Sequence, residues 1–200
     1  NIGVEGQMIT GAFAATVTAI YVPLPGFLLL PLSILAGIIA GGLYATLVAV
    51  LNMKFQSSIV ICTLMLNYVA NYIASYLVSY PFKDKSGDGL SLVTKTIPES
   101  THFLQFSSSN TLNLGIVVAA VITILFFYME RKTVFGYESK MTGLNPHFAK
   151  YGGVFEKKVM LKTMALSGAI AAVAGMCEIF GYKYRYTDGM FTSASYAWTG

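Results

Sequence analysis

Three stretches of the chain, residues 6–53, 55–82 and 100–129, contain no Asp, Glu, Lys or Arg, and they run for 48, 28 and 30 residues. A helix crosses the hydrocarbon core of a bilayer with about 20 predominantly apolar residues, so each stretch can hold a complete span and the first can hold two. Only 11% of the 200 residues are charged and 55% are hydrophobic, against roughly 25% charged in an ordinary soluble domain. The same numbers disfavour a disordered chain, a disulfide scaffold and a soluble nucleic-acid binder. The expected fold is an all-α membrane protein, a polytopic transmembrane helix bundle of about five spans over residues 7–22, 29–51, 58–80, 112–129 and 161–182. Pro23, Pro25 and Gly26 break the chain between the first two.

Charge then orients the bundle. Residues 130–162 hold Arg131, Lys132, Lys140, Lys150, Lys157, Lys158 and Lys162 against only Glu130, Glu138 and Glu156, which predicts a cytoplasmic loop. In the loop 81–111, Lys83, Lys85 and Lys95 are balanced by Asp84, Asp88 and Glu99, so this loop is expected outside. Lys54 falls on the cytoplasmic side by parity. Topology therefore accounts for the net charge of +4, and no nucleic-acid partner is needed. The chain starts at Asn1 without a Met or a basic leader, and it stops at Gly200 behind aromatic and small residues. The expectation is one membrane domain over 1–200 that forms an internal piece of a longer chain.

Gly37, Gly41 and Gly42 in the second span, and Gly168, Ala172 and Gly175 in the fifth, have the small-residue spacing of close helix contacts in lipid. Polar groups inside spans cost free energy and tend to face a cavity or a partner. Glu5 and Gln7 open the first span, Asn67 and Asn71 share a face of the third beside Tyr68 and Tyr72, and Glu178 lies late in the fifth. These five are the candidate residues of a solute pathway, since amides, carboxylates and aromatic rings bind hydroxyls and planar groups. Interhelical hydrogen bonding is the structural alternative for the Asn pair, and an interfacial carboxylate for Glu5 and Glu178. Cys62 and Cys177 are expected to be buried free thiols. His102 and His147 lie in opposite loops, so no metal site is expected. Phosphate-loop, His-Glu-x-x-His and Gly-x-Ser-x-Gly motifs are all missing from the sequence, which predicts a chain without its own ATPase or protease chemistry.

Residues 135–153 of the basic loop read as a short helix bracketed by glycines. Asn145 caps it, Pro146 fits its first turn, and Gly152 with Gly153 ends it. Phe148 and Tyr151, with Lys150 beside them, suit docking onto another protein.

Several ordered segments carry a resemblance. Asn1-Ile-Gly-Val-Glu-Gly-Gln-Met8, Met65-Leu-Asn-Tyr68, Pro98-Glu-Ser100, Phe135-Gly-Tyr137, Gly143-Leu-Asn-Pro146, Ser167-Gly-Ala169, Ala174-Gly175 and Glu178 follow one another from Asn1 to about Gly189. Their succession resembles the permease subunits of ABC importers for simple sugars and nucleosides, related to the ribose and branched-chain amino-acid permeases. The resemblance implies alternating access driven by a separate cytoplasmic ATPase, which would bind ATP and Mg, with no cofactor on this chain. It also implies a second permease chain, an extracytoplasmic substrate-binding lipoprotein, and a bacterial plasma membrane. The ATPase contact implied by position is the coupling helix, with Gly143, Leu144, Asn145, Pro146, Phe148, Ala149, Tyr151, Gly152 and Gly153, within a coupling loop at 130–160. His147 and Phe148 stand where the family often has small residues and Glu. Two rivals are a proton-coupled secondary transporter using Glu5 or Glu178, and a structural or receptor-like subunit that moves no solute.

Overall fold

The computed structural model describes residues 1–85, 91–106 and 113–192. Asp88, the expected start of the fourth span at Leu112, and parts of the 81–111 loop lie outside the described residues. Helices α1 (Val4–Tyr21), α2 (Gly26–Phe55), α3 (Ile59–Ser79), α4 (Gly115–Lys132) and α7 (Glu156–Glu178) stand at the five expected positions. Two shorter helices, α5 (Val134–Leu144) and α6 (Pro146–Tyr151), join α4 to α7. Among the described residues three helices are long and apolar enough to cross a membrane: α2, α3, and α7 with its π-helical extension to Lys183. The protein is a helical membrane protein. Among the described residues the only β pairing is in isolated bridges.

Side-chain size, rather than polarity, separates inside from outside. Along α2, Leu35, Ile39, Leu43 and Leu47 are exposed, while Ser33, Gly37, Gly41 and Ala45 are buried. Water would invert this pattern; in lipid, small residues let helices approach. Gly41 and Gly168 meet where α2 crosses α7. A Cβ added to Gly41 would stand 2.8 Å from the Gly168 carbonyl oxygen, and one added to Gly168 would run into Gly41 and Ala45. The expected small-residue contacts are therefore present.

The most buried helix is the polar-starting α1, which lies against α2, α3 and α7. Only Gly115 of α4 is buried. Three aromatic–cation pairs mark one end of the bundle: Lys54 over Phe55 at 5.5 Å, Arg131 over Phe127 at 4.1 Å and Lys158 over Phe155 at 4.7 Å. At that basic end α2 and α4 finish and α7 begins.

The short helix read with Asn145 as its cap, Pro146 in its first turn and Gly152 and Gly153 at its end is present as α6. The structure differs from the sequence reading in three details. A further helix, α5, precedes α6, and Pro146 keeps the two apart because it disfavours helical geometry at the residue before it; Asn145 is extended, at φ −154° and ψ 100°. Lys54 lies in the last turn of α2 rather than in a link. Cys62 and Cys177 are free but half-buried rather than buried, since each lies on a helix flank.

Candidate functional site

Helix α1 starts inside the bundle. Gly3, the N-cap of α1, has no side chain to cap the helix, so the amides of the first turn are satisfied from elsewhere. Asn67, in the middle of α3, accepts a hydrogen bond from the Gly6 amide at 2.9 Å and donates to the Ile2 carbonyl at 3.2 Å. Asn1 and Gln7 form a reciprocal amide pair, at 2.9 and 3.2 Å, and Asn1 also donates to the Ser167 hydroxyl of α7 at 2.8 Å. Gln7 is 1% exposed and Asn67 9%. These two amides hold the start of α1 against α3 and α7.

Glu5 and Asn71 occupy the neighbouring face and are half-buried. Thr192 brings them together: its hydroxyl donates to the Glu5 carboxylate at 2.8 Å and lies 3.4 Å from the Asn71 side-chain oxygen. Tyr68 and Tyr72 flank this group on the exposed side of α3. Glu178, at the end of α7, is half-buried and stands apart from both groups. Five sequence-singled residues thus divide into the pair Gln7 and Asn67, the pair Glu5 and Asn71, and Glu178 alone. Sequence reasoning did not single out Ser167 or Thr192 as site residues. Ser167 had a signal in its Ser-Gly-Ala segment; Thr192 had none.

Thr192 belongs to a non-helical strap that follows the π turn, Ile179–Lys183. The strap pairs with the loop after α3, the Thr94 amide donating to the Tyr186 carbonyl at 3.0 Å and the Ile97 amide to the Tyr184 carbonyl at 2.9 Å. Gln105 donates to the Tyr184 hydroxyl at 2.7 Å, and His102 stacks on the Tyr184 ring at 3.8 Å. Tyr186 meets Phe13 edge-on at 5.3 Å, and Phe13 meets Phe82 at 5.6 Å. Burial, and then the Asp188 carboxylate, push the Tyr186 phenol upward, so it stays neutral.

The basic end carries a second feature. Asn145 accepts from the Phe148 amide at 3.0 Å, Pro146 takes the first helical position, and Gly153 supplies φ +82° behind α6. Ala149 is buried, whereas Leu144, Phe148, Tyr151 and Phe155 are exposed, Tyr151 at 94%. Phe148 and Tyr151 are thus exposed aromatic residues on a capped, preset turn. Behind it, a cavity of about 430 Å³ between α4, α5 and α7 is lined by Glu130, Lys140, Thr163 and Ser167 among apolar residues. Its lining includes both Lys140 and Ser167, the residue that Asn1 contacts. Among the described residues no cluster of three His, Cys, Asp or Glu side chains could hold a metal ion.

Comparison with known families matches residues 1–199 to the family described as branched-chain amino acid transport system / permease component. The chain is 30% identical over 197 residues to the guanosine ABC transporter permease protein NupP of Bacillus subtilis, covering 98% of this chain and 57% of that protein. It is 28% identical over 195 residues to the nucleoside ABC transporter permease protein NupB of Lactococcus lactis, covering 94% and 54%. A glucose ABC transporter permease of Haloferax volcanii is 32% identical over 194 residues, covering 93% and 51%. The chain spans about half the length of the curated relatives it matches. No solved structure gives a match of comparable significance. The family match over residues 1–199, on a chain of long helices in which α2, α3 and α7 pack against a polar-starting α1, shows that the chain belongs to the ABC-transporter permease components.

Proposed function

We propose that this chain is the membrane-embedded permease part of an ABC importer that carries nucleosides or simple sugars inward by alternating access. The observation that carries the reading is α6: a six-residue helix, capped at both ends, that turns Phe148 and Tyr151 out of the bundle at its basic end. The outward side chains of this turn, Phe148 and Tyr151, are exposed and suit docking of a separate cytoplasmic ATPase, which binds ATP and Mg. All five long helices cross the bilayer, with the basic end cytoplasmic and the loop after α3 outside in the bacterial plasma membrane. Closure of the ATPases pushes α6, α5 transmits the movement to α4 and α7, and the bundle rocks about α1. ATP and a loaded extracytoplasmic binding lipoprotein drive the cycle only by favouring different states. A second permease chain completes the path. The names of the relatives support the substrate class.

Within the path, Glu5 and Asn71 meet solute hydroxyls, while Gln7 and Asn67 hold the start of α1; Glu178 is a secondary lining position. The test is co-purification of the complete parent protein with the products of its neighbouring genes in mild detergent. An ATPase that accompanies the protein, and is released by deletion of residues 144–151, supports the reading. Uptake that continues without ATP and collapses with an uncoupler would replace it with proton coupling.

A further inference from the structure

The strap behind the π turn does not stay at the surface. Its first part pairs with the loop after α3 through Tyr184 and Tyr186. Then it descends beside α3. Asp188 accepts a hydrogen bond from the Ser75 hydroxyl at 3.0 Å, and Thr192 reaches Asn71 one helical turn deeper and Glu5 at the start of α1. Asn71 lies eight residues before Ser79, the last residue of α3, which is about 12 Å below the helix end at 1.5 Å per residue. Non-helical backbone is therefore present well inside the span. At such a depth irregular backbone is tolerated only where protein buries it or where it lines a water-filled space.

The side chains divide between those two conditions. Tyr186, Met190 and Phe191 are buried and anchor the strap, whereas Thr192 is exposed and Asp188 half-buried. A carboxylate and an exposed hydroxyl turned to lipid would each be costly. We propose that this strap forms one wall of the solute path, and that Asp188 and Thr192 are specificity-determining residues for a hydroxyl-rich, uncharged solute. The inference rests on the permease reading above. Asp188, Thr192, Glu5, Asn71 and Ser75 form a strip of hydrogen-bonding groups about one turn of α3 long, with Tyr72 at its open edge. Two carboxylates accept from vicinal hydroxyls, and a hydroxyl and an amide both donate and accept. The chemistry fits the sugar ring common to free sugars and nucleosides.

The test uses the complete transporter with its partners, in a background of Cys62→Ala and Cys177→Ala. Thr192→Cys is exposed to a charged, membrane-impermeant thiosulfonate from the extracytoplasmic side, with Leu43→Cys on the exposed flank of α2 as the lipid-facing control. Guanosine and glucose serve as probe solutes. The expected result is that Thr192→Cys reacts with the charged reagent, that a saturating transported solute slows the reaction, and that Leu43→Cys reacts only with a lipid-soluble maleimide. In uptake assays at matched membrane abundance, Thr192→Val and Asp188→Asn should each raise KM about fivefold or more, the scale of one lost hydrogen bond. Reaction of Thr192→Cys only with the lipid-soluble reagent would overturn the proposal, as would unprotected labelling with unchanged KM. A Thr192→Cys complex that reacts with the charged reagent, beside a wild-type complex that moves neither solute with ATP, would sink the permease reading while leaving the strap beside water.

Discussion

The side-chain oxygen of Asn67 lies 2.9 Å from the backbone nitrogen of Gly6, so the middle of α3 caps the first turn of α1. A helix that begins inside a bundle has unpaired amides where water cannot reach them, and the Asn67–Gly6 contact answers that requirement. Its second bond, to the Ile2 carbonyl, fixes the chain entering the helix. The cap at Asn67 and the proposed pathway residue Asn71 lie one turn apart on α3, which makes their roles separable.

Asn67→Ala should lower stability by about 1–3 kcal/mol, the cost of leaving a buried amide without a partner. Asn71→Ala should leave stability near wild type and raise KM for solute. Thermal unfolding in detergent beside uptake kinetics of the complete transporter checks both. Equal loss of stability in the two variants would make Asn71 a structural residue as well.

Gly168→Val should prevent folding of the bundle. The added Cβ overlaps the Gly41 backbone and Ala45, and backbone atoms cannot step aside as a flexible side chain can; overpacking of this kind costs typically about 1–3 kcal/mol or more. Gly143→Ala is the matched control, because open space surrounds Gly143 and alanine favours a helix by about 0.5–1 kcal/mol. Size-exclusion profiles of fluorescent fusions should show aggregated Gly168→Val beside monodisperse Gly143→Ala.

These two glycines also show what a sequence can reveal. Gly41 and Gly168 were legible because four-residue spacing of small residues in an apolar stretch has one main use in lipid, and uncharged stretches placed four of the five long helices, the fifth carrying Lys162 and Glu178. Both ends of α6 were written locally, in Asn145 and Pro146 at its start and Gly152 and Gly153 at its end, whereas α5 before it was not read as a helix of its own. The strap was illegible for a different reason. Thr94 and Tyr186, which pair through their backbones, are far apart in the chain, and neither residue type signals that pairing. Thr192 reaches Glu5 from the other end of the sequence, so no local pattern could have united them. Sequence grouped Glu5 with Gln7 because they are neighbours; one helical turn sends the first to Thr192 and the second to Asn1.

Tyr186→Ala should release the strap. Tyr186 is fully buried against Phe13 and Phe191, and removing a core aromatic side chain costs typically about 3–5 kcal/mol. Arg185 beside it is exposed, so limited trypsin digestion reads the opening directly. Cleavage after Arg185 should accelerate in Tyr186→Ala and stay slow in Tyr186→Phe, whose ring keeps the contact. Equal cleavage rates would show that the pairing with Thr94 and Ile97 holds the strap without the aromatic anchor.

The last prediction separates the shape of α6 from its chemistry. Tyr151 is exposed and contributes little to the fold, so Tyr151→Ala should leave thermal stability unchanged while weakening retention of the ATPase. Asn145 acts one step removed: its side chain accepts from the Phe148 amide and presets the turn that presents Phe148 and Tyr151. Asn145→Ala removes a cap worth about 1 kcal/mol and should weaken retention by loosening α6, whereas Asn145→Ser keeps an acceptor at the cap and should restore it. The measurement is ATPase co-purification across the three variants. Retention lost in Asn145→Ala and regained in Asn145→Ser assigns Asn145 to positioning. Retention unchanged in all three would move the docking surface to the exposed Leu144 and Phe155 flanks, and with it the route by which ATP reaches α7.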